Sequence, residues 1–212
     1  MKVVMVNSSP HEKGCVNVAL QELVGEFTRQ GVDTEIIQIG RAGIRSCIAC
    51  RYCRKTGRCA QDDMLNDVAG KLIVADGLIF ATPVYYAGIS GQLKCFMDRL
   101  FLAYGRRLAN KPVAAVVNSR RSGCVTAFND VNNFFTMSNM IVVTSQYWNQ
   151  VHGAHAEDVS DDEEGLQTMR TLAKNMTWIM KCIEAGKQAG IPMPVQEPVT
   201  HTNFVRTTGE PF

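Results

Sequence analysis

The stretch KVVMVNSSPHEKG, residues 2–14, decides the fold class of this chain. Its first half holds a short apolar run, Val3–Val6, which is typical of a strand buried on both faces. Its second half is polar and contains Pro10 and Gly14, so it predicts a loop. From Val16 to Phe27 the apolar residues recur at helical spacing. The stretch therefore predicts a strand that passes through a loop into an amphipathic helix.

The same alternation continues along the chain. Apolar runs predict four further strands, at 34–39, 77–81, 112–118 and 140–144, with helices between them and a long final helix. Five near-continuous apolar strands alternating with helices predict one α/β domain, residues 1–189, with a doubly wound five-stranded parallel sheet and helices on both faces. The segments 43–60 and 146–160 are predicted as irregular.

The tail, residues 190–212, has four prolines and no periodicity. We expect it to pack on the surface or on a partner subunit, because an extension with two phenylalanines gains little by staying in solvent.

The composition excludes several classes of protein. A net charge of +2 in 212 residues is far from the basic excess of nucleic-acid-binding proteins. No apolar run approaches the roughly 18 residues of a membrane span, and the first residues lack a signal-peptide layout. We therefore expect a cytoplasmic protein that binds neither nucleic acid nor membrane.

Three loops at the predicted carboxyl ends of strands contain groups that could bind a ligand. Ligands of such sheets bind at that edge. The loop Ser8–Gly14 offers hydroxyls and the amides of a helix N-terminus, which suit a phosphate monoester, although an ordinary serine-capped turn explains it equally well. The loop Thr82–Gly88 presents Tyr85 and Tyr86 to a planar ring, and the loop 118–123 adds donors. Together they predict a site for a mononucleotide with a planar ring.

Four of the eight cysteines, Cys47, Cys50, Cys53 and Cys59, lie within thirteen residues. Spacings of two, two and five residues allow them to wrap one compact cluster, and the surrounding arginines and lysine favour the thiolate form that binds iron. Structural zinc more often uses two separated pairs of cysteines. The spacing favours a [4Fe–4S] cluster, while a zinc site and a solvated loop with free thiols stay open. We expect the remaining four cysteines to be uninvolved.

These motifs together resemble the NADPH-dependent FMN reductase branch of the flavodoxin-like fold. The resemblance covers about residues 1–185, and the cysteine segment is similar to that of the iron–sulfur flavoproteins of anaerobic microbes. The motifs that carry it are Ser8-Ser9-Pro10 with Gly14, Asp62-Asp63-Met64, Thr82-Pro83-Val84-Tyr85, Gly91-Gln92-Leu93-Lys94 and Asp98-Arg99.

The resemblance implies FMN as a cofactor, with its phosphate on the first loop and its ring between the second and third. Relatives often have arginine in place of His11 and Asn-Thr in place of Cys15-Val16, so we expect backbone amides, Ser8 and Asn17 to carry more of the phosphate binding. The residues implied for FMN are Ser8, Ser9, His11, Gly14, Cys15, Val16, Asn17, Pro83, Val84, Tyr85, Tyr86, Ala87, Arg121, Ser122 and Gly123.

The resemblance also implies an activity. It predicts an FMN-dependent oxidoreductase that passes electrons between NAD(P)H or ferredoxin and a small-molecule acceptor, in a homodimer or homotetramer, with the flavin rather than a catalytic side chain carrying the chemistry. One alternative is a flavin-only NAD(P)H-dependent reductase of FMN or quinones, and a second is a non-enzymatic flavodoxin-like binding module with zinc. Lys94, Asp98 and Arg99, at helical spacing, predict a contact network on a helix surface or at a subunit interface.

Overall fold

A computed structural model of the chain describes residues 1–198 and residue 200. Among these residues, no helix combines the length and the apolar character needed to cross a bilayer. The secondary-structure elements, in chain order, are β1 (Lys2–Asn7), α1 (Cys15–Arg29), β2 (Asp33–Gln38), α2 (Tyr52–Thr56), α3 (Leu65–Val74), β3 (Gly77–Tyr85), β4 (Gly88–Ile89), α4 (Gly91–Leu108), β5 (Pro112–Ser119), α5 (Cys124–Met137), β6 (Ile141–Val142), β7 (Gln150–His152), α6 (Ala156–Ser160) and α7 (Glu163–Gln188).

The sheet confirms the predicted doubly wound flavodoxin-like architecture, with seven described strands instead of five. Its main path is β2-β1-β3-β5-β6, and every pair along this path is parallel. The fifth predicted strand, 140–144, is reduced to the two-residue β6, which pairs with the start of β5, whereas β7 pairs with the end of β5. The seventh strand, β4, forms a short antiparallel hairpin with the end of β3.

Helices cover both faces of the sheet because successive strand residues point to opposite sides. Val4 and Val6 of β1 pack into one core cluster with α3, α4 and α5, whereas Val3 and Met5 pack into another with α1 and α7. All four side chains are fully buried. The near-continuous apolar strands therefore reflect burial on both faces.

Four elements have no counterpart in the sequence-based prediction, and one of them is β4, which starts at the last residue of the loop predicted at 82–88. The helix α2 lies in the cysteine segment, and β7 and α6 lie in the segment 146–160, both of which were predicted as irregular. Each of these elements has five residues or fewer, which is too short for a periodic pattern.

The described part of the tail, 190–198 and 200, is exposed, and Asn110 Nδ2 donates to the Pro194 carbonyl at 3.3 Å. The prediction that the tail packs on the surface or on a partner rests mostly on 199 and 201–212, which lie outside the described residues.

The strand order reverses at β1, since the chain moves outward to β2 and then crosses back to β3. In sheets of this kind the ligand crevice lies at the carboxyl ends of the strands beside that reversal. The loops that follow β1, β2, β3, β5 and β7 all emerge at this edge.

Candidate functional site

A cleft of about 870 Å³ opens at the carboxyl edge of the sheet. Eight of the residues implied for FMN line it, and they come from the loop after β1, the start of α1 and the end of β3. These eight are Ser9, His11, Gly14, Cys15, Val16, Pro83, Val84 and Tyr85. The other seven, Ser8, Asn17, Tyr86, Ala87, Arg121, Ser122 and Gly123, lie around the cleft without lining it.

The loop after β1 is held by its own side chains. The Asn7 Oδ1 atom accepts from the Ser9 amide at 2.9 Å, and Ser9 Oγ accepts from the His11 amide at 3.2 Å. The hydroxyl of Ser8 is buried and donates to the Ala81 carbonyl at 2.9 Å, so it fixes the loop to β3 instead of facing the cleft. Within the described residues the buried Asn7 Nδ2 has no hydrogen-bond partner.

The helix α1 starts at Cys15. Its N-cap residue is Gly14, which has no side chain that could accept from the first amides of the helix. Cys15 and Val16 line the cleft at this point. The first amides of a helix carry positive partial charge and need an acceptor. This end of the cleft therefore suits a phosphate group.

The loop after β3 is a tight hairpin whose two central residues have positive φ. Tyr86 has φ 49° and Ala87 has φ 61°, values that cost a residue with a Cβ atom about 1 kcal/mol or more each. The turn leaves Tyr86 fully exposed at its tip, while Tyr85 is half exposed and lines the cleft. The hairpin holds an aromatic face at the mouth of the cleft.

The loop after β5 packs directly against this hairpin. Gly123 has φ +90°, and a Cβ atom there would lie 2.9 Å from Ala87 Cα and 3.0 Å from Val84 Cγ1. Within this loop, Arg120 lines the cleft, together with the last two residues of β5, Asn118 and Ser119. Arg121 and Ser122 are exposed and do not line the cleft.

Two groups of cleft residues were missed from the sequence. Arg41 lines the cleft from the connection after β2, and its Nε atom donates to the Pro10 carbonyl at 2.8 Å. Residues 153–157 line it from the turn after β7, where the Ala154 and His155 amides donate to Asp158 Oδ2 at 2.8 and 2.9 Å. Arg41 follows a predicted strand, which was a usable signal, whereas β7 is only three residues long.

The four clustered cysteines line one small pocket beside α4. Positive φ values at Ala49, Arg51 and Gly57 turn the chain between them, and Ile48, Leu102 and Ala103 complete the pocket. Burial raises the pKa of the Cys53 thiol, and the other three clustered thiols raise it further. A backbone hydrogen bond lowers this pKa but does not offset the rise, so the Cys53 thiol is less acidic than usual, contrary to the expectation that nearby basic residues favour the thiolate. In the described part of the chain, no three His, Cys, Asp or Glu side chains are already arranged around a single metal ion.

Cys59 is the most firmly held of the four. Its amide donates to Asn66 Oδ1 at 3.0 Å, and Asn66 Nδ2 donates back to its carbonyl at 3.1 Å. The Tyr104 hydroxyl donates to the same Asn66 oxygen at 2.7 Å. These contacts attach the Cys59 backbone to α3 and α4, whereas Cys50 is exposed on the loop.

Arg99 corrects the prediction of a helix-surface network. Lys94 and Asp98 do form the expected surface ion pair, at 2.5 Å, but the side chain of Arg99 is completely buried. Its Nη1 and Nη2 atoms lie 2.5 and 3.0 Å from the two carboxylate oxygens of Asp63, and its Nε donates to Cys59 Sγ at 3.3 Å. Burial opposes ionisation of Asp63, but the hydrogen bonds from Arg99 outweigh it and lower the pKa of that carboxyl.

The chain is similar to known flavoproteins. Residues 1–155 match the family described as NADPH-dependent FMN reductase. An iron–sulfur flavoprotein of Methanocaldococcus jannaschii is 34% identical over 192 residues, which cover 87% of this chain and 100% of that protein. An iron–sulfur flavoprotein of Methanosarcina thermophila is 28% identical and covers 88% of this chain and 99% of that protein.

Solved structures show the same fold at lower sequence identity. The structure of RosB with a bound riboflavin-phosphate intermediate has a TM-score of 0.69 at 15% identity, covering 99% of this chain and 98% of that one. The NAD(P)H:acceptor oxidoreductase FerB of Paracoccus denitrificans has a TM-score of 0.65 at 15% identity, covering 85% of this chain and 97% of that one.

Proposed function

Because the chain belongs to the NADPH-dependent FMN reductase family, we propose that this FMN-dependent oxidoreductase passes electrons between NAD(P)H or ferredoxin and an acceptor through FMN and a [4Fe–4S] cluster. When bound, FMN supplies hydride acceptance and the cluster supplies one-electron transfer. The observation that carries the cluster is that all four clustered cysteines line one small pocket, in a chain whose relatives are named iron–sulfur flavoproteins.

The residues of the cleft fit FMN. The uncapped N-terminus of α1 suits the phosphate, and Lys13, Arg41 and Arg120 add positive charge around it. The hairpin after β3 offers Pro83–Tyr85 as an apolar and aromatic edge for the ring. The protein's part is to bind the flavin, to orient its ring and to keep water from one face of it.

The residues of the cysteine pocket fit an iron–sulfur cluster. Thiolates are the ligands that such clusters use, and the apolar walls from Ile48, Leu102 and Ala103 would shield a cluster from water on one side. We propose that Cys47, Cys50, Cys53 and Cys59 all ligate the cluster and that Cys95, partly buried on α4, takes no part.

We also propose a homodimer or homotetramer as the working form. A shallow apolar hollow of about 380 Å³ lies between α4 and α5, next to the cysteine pocket. Leu102 borders both the hollow and the pocket, and Met137 at the hollow is 89% exposed. Large exposed apolar side chains grouped in this way are typical of surfaces between subunits.

Anaerobic reconstitution with iron and sulfide tests the proposal. We expect about four iron atoms and four acid-labile sulfides per chain, together with one FMN, as the composition of a [4Fe–4S] flavoprotein requires. Serine at any clustered cysteine should greatly reduce the iron content and leave FMN bound, because the flavin loops lie on other strands. Cys95→Ser is the matched control and should keep its iron.

The other outcomes identify the alternatives. FMN without iron in the reconstituted wild type would mean a flavin-only reductase. One zinc per chain without FMN would mean a binding module.

A further inference from the structure

We propose that Arg99 is a positioning residue that holds Cys59 as the fixed ligand of the cluster and raises the reduction potential of that cluster. The inference rests on the proposed function, since it needs the cluster to be present. It goes beyond the ligand set, because Arg99 lies on α4, 40 residues away from Cys59 along the chain.

All three guanidinium nitrogens of Arg99 make hydrogen bonds. The two terminal guanidinium nitrogens, Nη1 and Nη2, donate to the two carboxylate oxygens of Asp63. Nη1 also donates to the Arg45 carbonyl at 3.1 Å. A guanidinium is planar, so fixing its two terminal nitrogens fixes the direction in which Nε points. That direction is Cys59 Sγ, at 3.3 Å.

Asp63 and Arg45 bind Arg99 from the two sides of the cysteine segment. Arg45 precedes Cys47, and Asp63 follows Cys59 just before α3 begins at Leu65. The Asp63 carboxylate also accepts from the Leu65 amide at 3.1 Å, so it is anchored to the start of that helix. Arg99 therefore ties both ends of the cysteine segment to α4 while it contacts one of the four thiols.

The contact has an electrostatic consequence. Hydrogen bonds to cluster sulfur atoms are among the factors that set the reduction potential. One-electron reduction adds one negative charge to the cluster and its thiolates, and a buried donor on Cys59 stabilises that added charge. The carboxylate of Asp63 acts in the opposite sense, because it is a negative charge bound to the same guanidinium. Removing Arg99 and removing Asp63 should therefore shift the potential in opposite directions.

The test is a redox titration of anaerobically reconstituted protein, followed by cluster absorbance and by EPR. Arg99→Gln should make the cluster midpoint potential more negative, and Asp63→Asn should make it less negative. Arg106→Gln is the matched control, because it removes the same charge from an exposed position on the same helix and should change the potential little. FMN content and the flavin potential, measured in the same samples, report on the fold and should not change.

If Arg99→Gln does not fold, a second variant still tests the inference. Arg99→Gln leaves the largely buried Asp63 carboxylate without its charged partner, so we would also measure Asp63→Asn/Arg99→Gln, which removes both charges together with the contact to Cys59. This double variant should retain FMN and show a more negative cluster potential than Asp63→Asn alone.

The results separate the inference from the proposed function. A wild-type protein that holds no iron overturns both. A wild-type protein with a cluster overturns the inference alone if the potentials of Arg99→Gln and the double variant match those of Arg106→Gln and Asp63→Asn, respectively. A shift of the same sign in Arg99→Gln and Asp63→Asn also overturns it, because that would indicate general loosening of the pocket.

Discussion

Replacing Gly40 with alanine should weaken FMN binding through the backbone of the loop after β1. A Cβ atom at Gly40 would lie 1.9 Å from the Ser9 carbonyl oxygen, 2.2 Å from its carbonyl carbon and 2.7 Å from the Pro10 nitrogen. Cβ atoms are essentially never found within 3.0 Å of such neighbours. Because all three atoms belong to the backbone, no side-chain rotation relieves the contact. The two segments must separate by about 1 Å.

The size of the effect follows from what that loop does. Overpacking of this kind costs about 1–3 kcal/mol of folding free energy. Losing one hydrogen bond to a charged phosphate costs about 1.5–3 kcal/mol, which is roughly a ten- to hundredfold loss of affinity. We therefore expect Gly40→Ala to bind FMN about ten- to hundredfold more weakly than wild type and to bind riboflavin, which has no phosphate, with little change.

The assay is calorimetric titration of the apoprotein with FMN and with riboflavin. Gly43→Ala is the matched control, because Gly43 lies in the same connection and a Cβ atom there meets nothing within 4 Å. Equal loss of FMN and riboflavin affinity would place the effect away from the phosphate. Wild-type FMN affinity in Gly40→Ala would refute the reasoning.

Two further predictions concern stability and assembly. Glu26 is almost fully buried and accepts hydrogen bonds from Arg29 and Gln30. Burial alone would raise the pKa of its carboxyl, but these hydrogen bonds outweigh the effect of burial, so the pKa is lowered. Glu26→Gln should therefore lower the free energy of unfolding at pH 7 by about 1 kcal/mol. In urea titrations the deficit should shrink as the pH falls below the ordinary glutamate pKa of about 4.3 and through the lower pKa of Glu26 in the folded protein, because the wild-type carboxylate then takes up a proton. A deficit independent of pH would contradict this. Deleting the tail, 190–212, should weaken the oligomer or lower the FMN content. Unchanged values in both sedimentation and flavin analysis would contradict the predicted packing of the tail.

Sequence could predict those parts of this protein in which a pattern of residues and the structure it specifies lie on the same short segment. The strand, loop and helix of residues 2–29 follow one another directly, so hydrophobic periodicity was enough to find them. The four clustered cysteines lie on one short segment, so turns within that segment are enough to bring all four to one pocket. The strands β4 and β7 gave no such signal, because each has three residues or fewer.

Arg99 shows why a periodic pattern can mislead. Lys94 and Asp98 are four residues apart and form a surface pair, and spacing alone predicts that Arg99 joins them. One further residue, however, turns about 100° around the helix. That turn carries Arg99 away from the exposed Asp98 side and into the core beside Phe96 and Leu100. Its partner Asp63 lies 36 residues earlier, so only the tertiary fold brings the two charges together.

The connection after β2 is where the two candidate sites meet structurally. At one end Gly40 packs against Ser9, and at the other the Arg45 carbonyl accepts from Arg99. Between them, Ile44 is buried in the core, and Gln92 Nε2 donates to the Ala42 carbonyl. These anchors hold the far end of the connection to α4, so the separation forced by alanine at Gly40 falls on the loop after β1. The cysteine pocket should then keep its geometry in Gly40→Ala, which predicts selective loss of FMN from a protein that still binds iron.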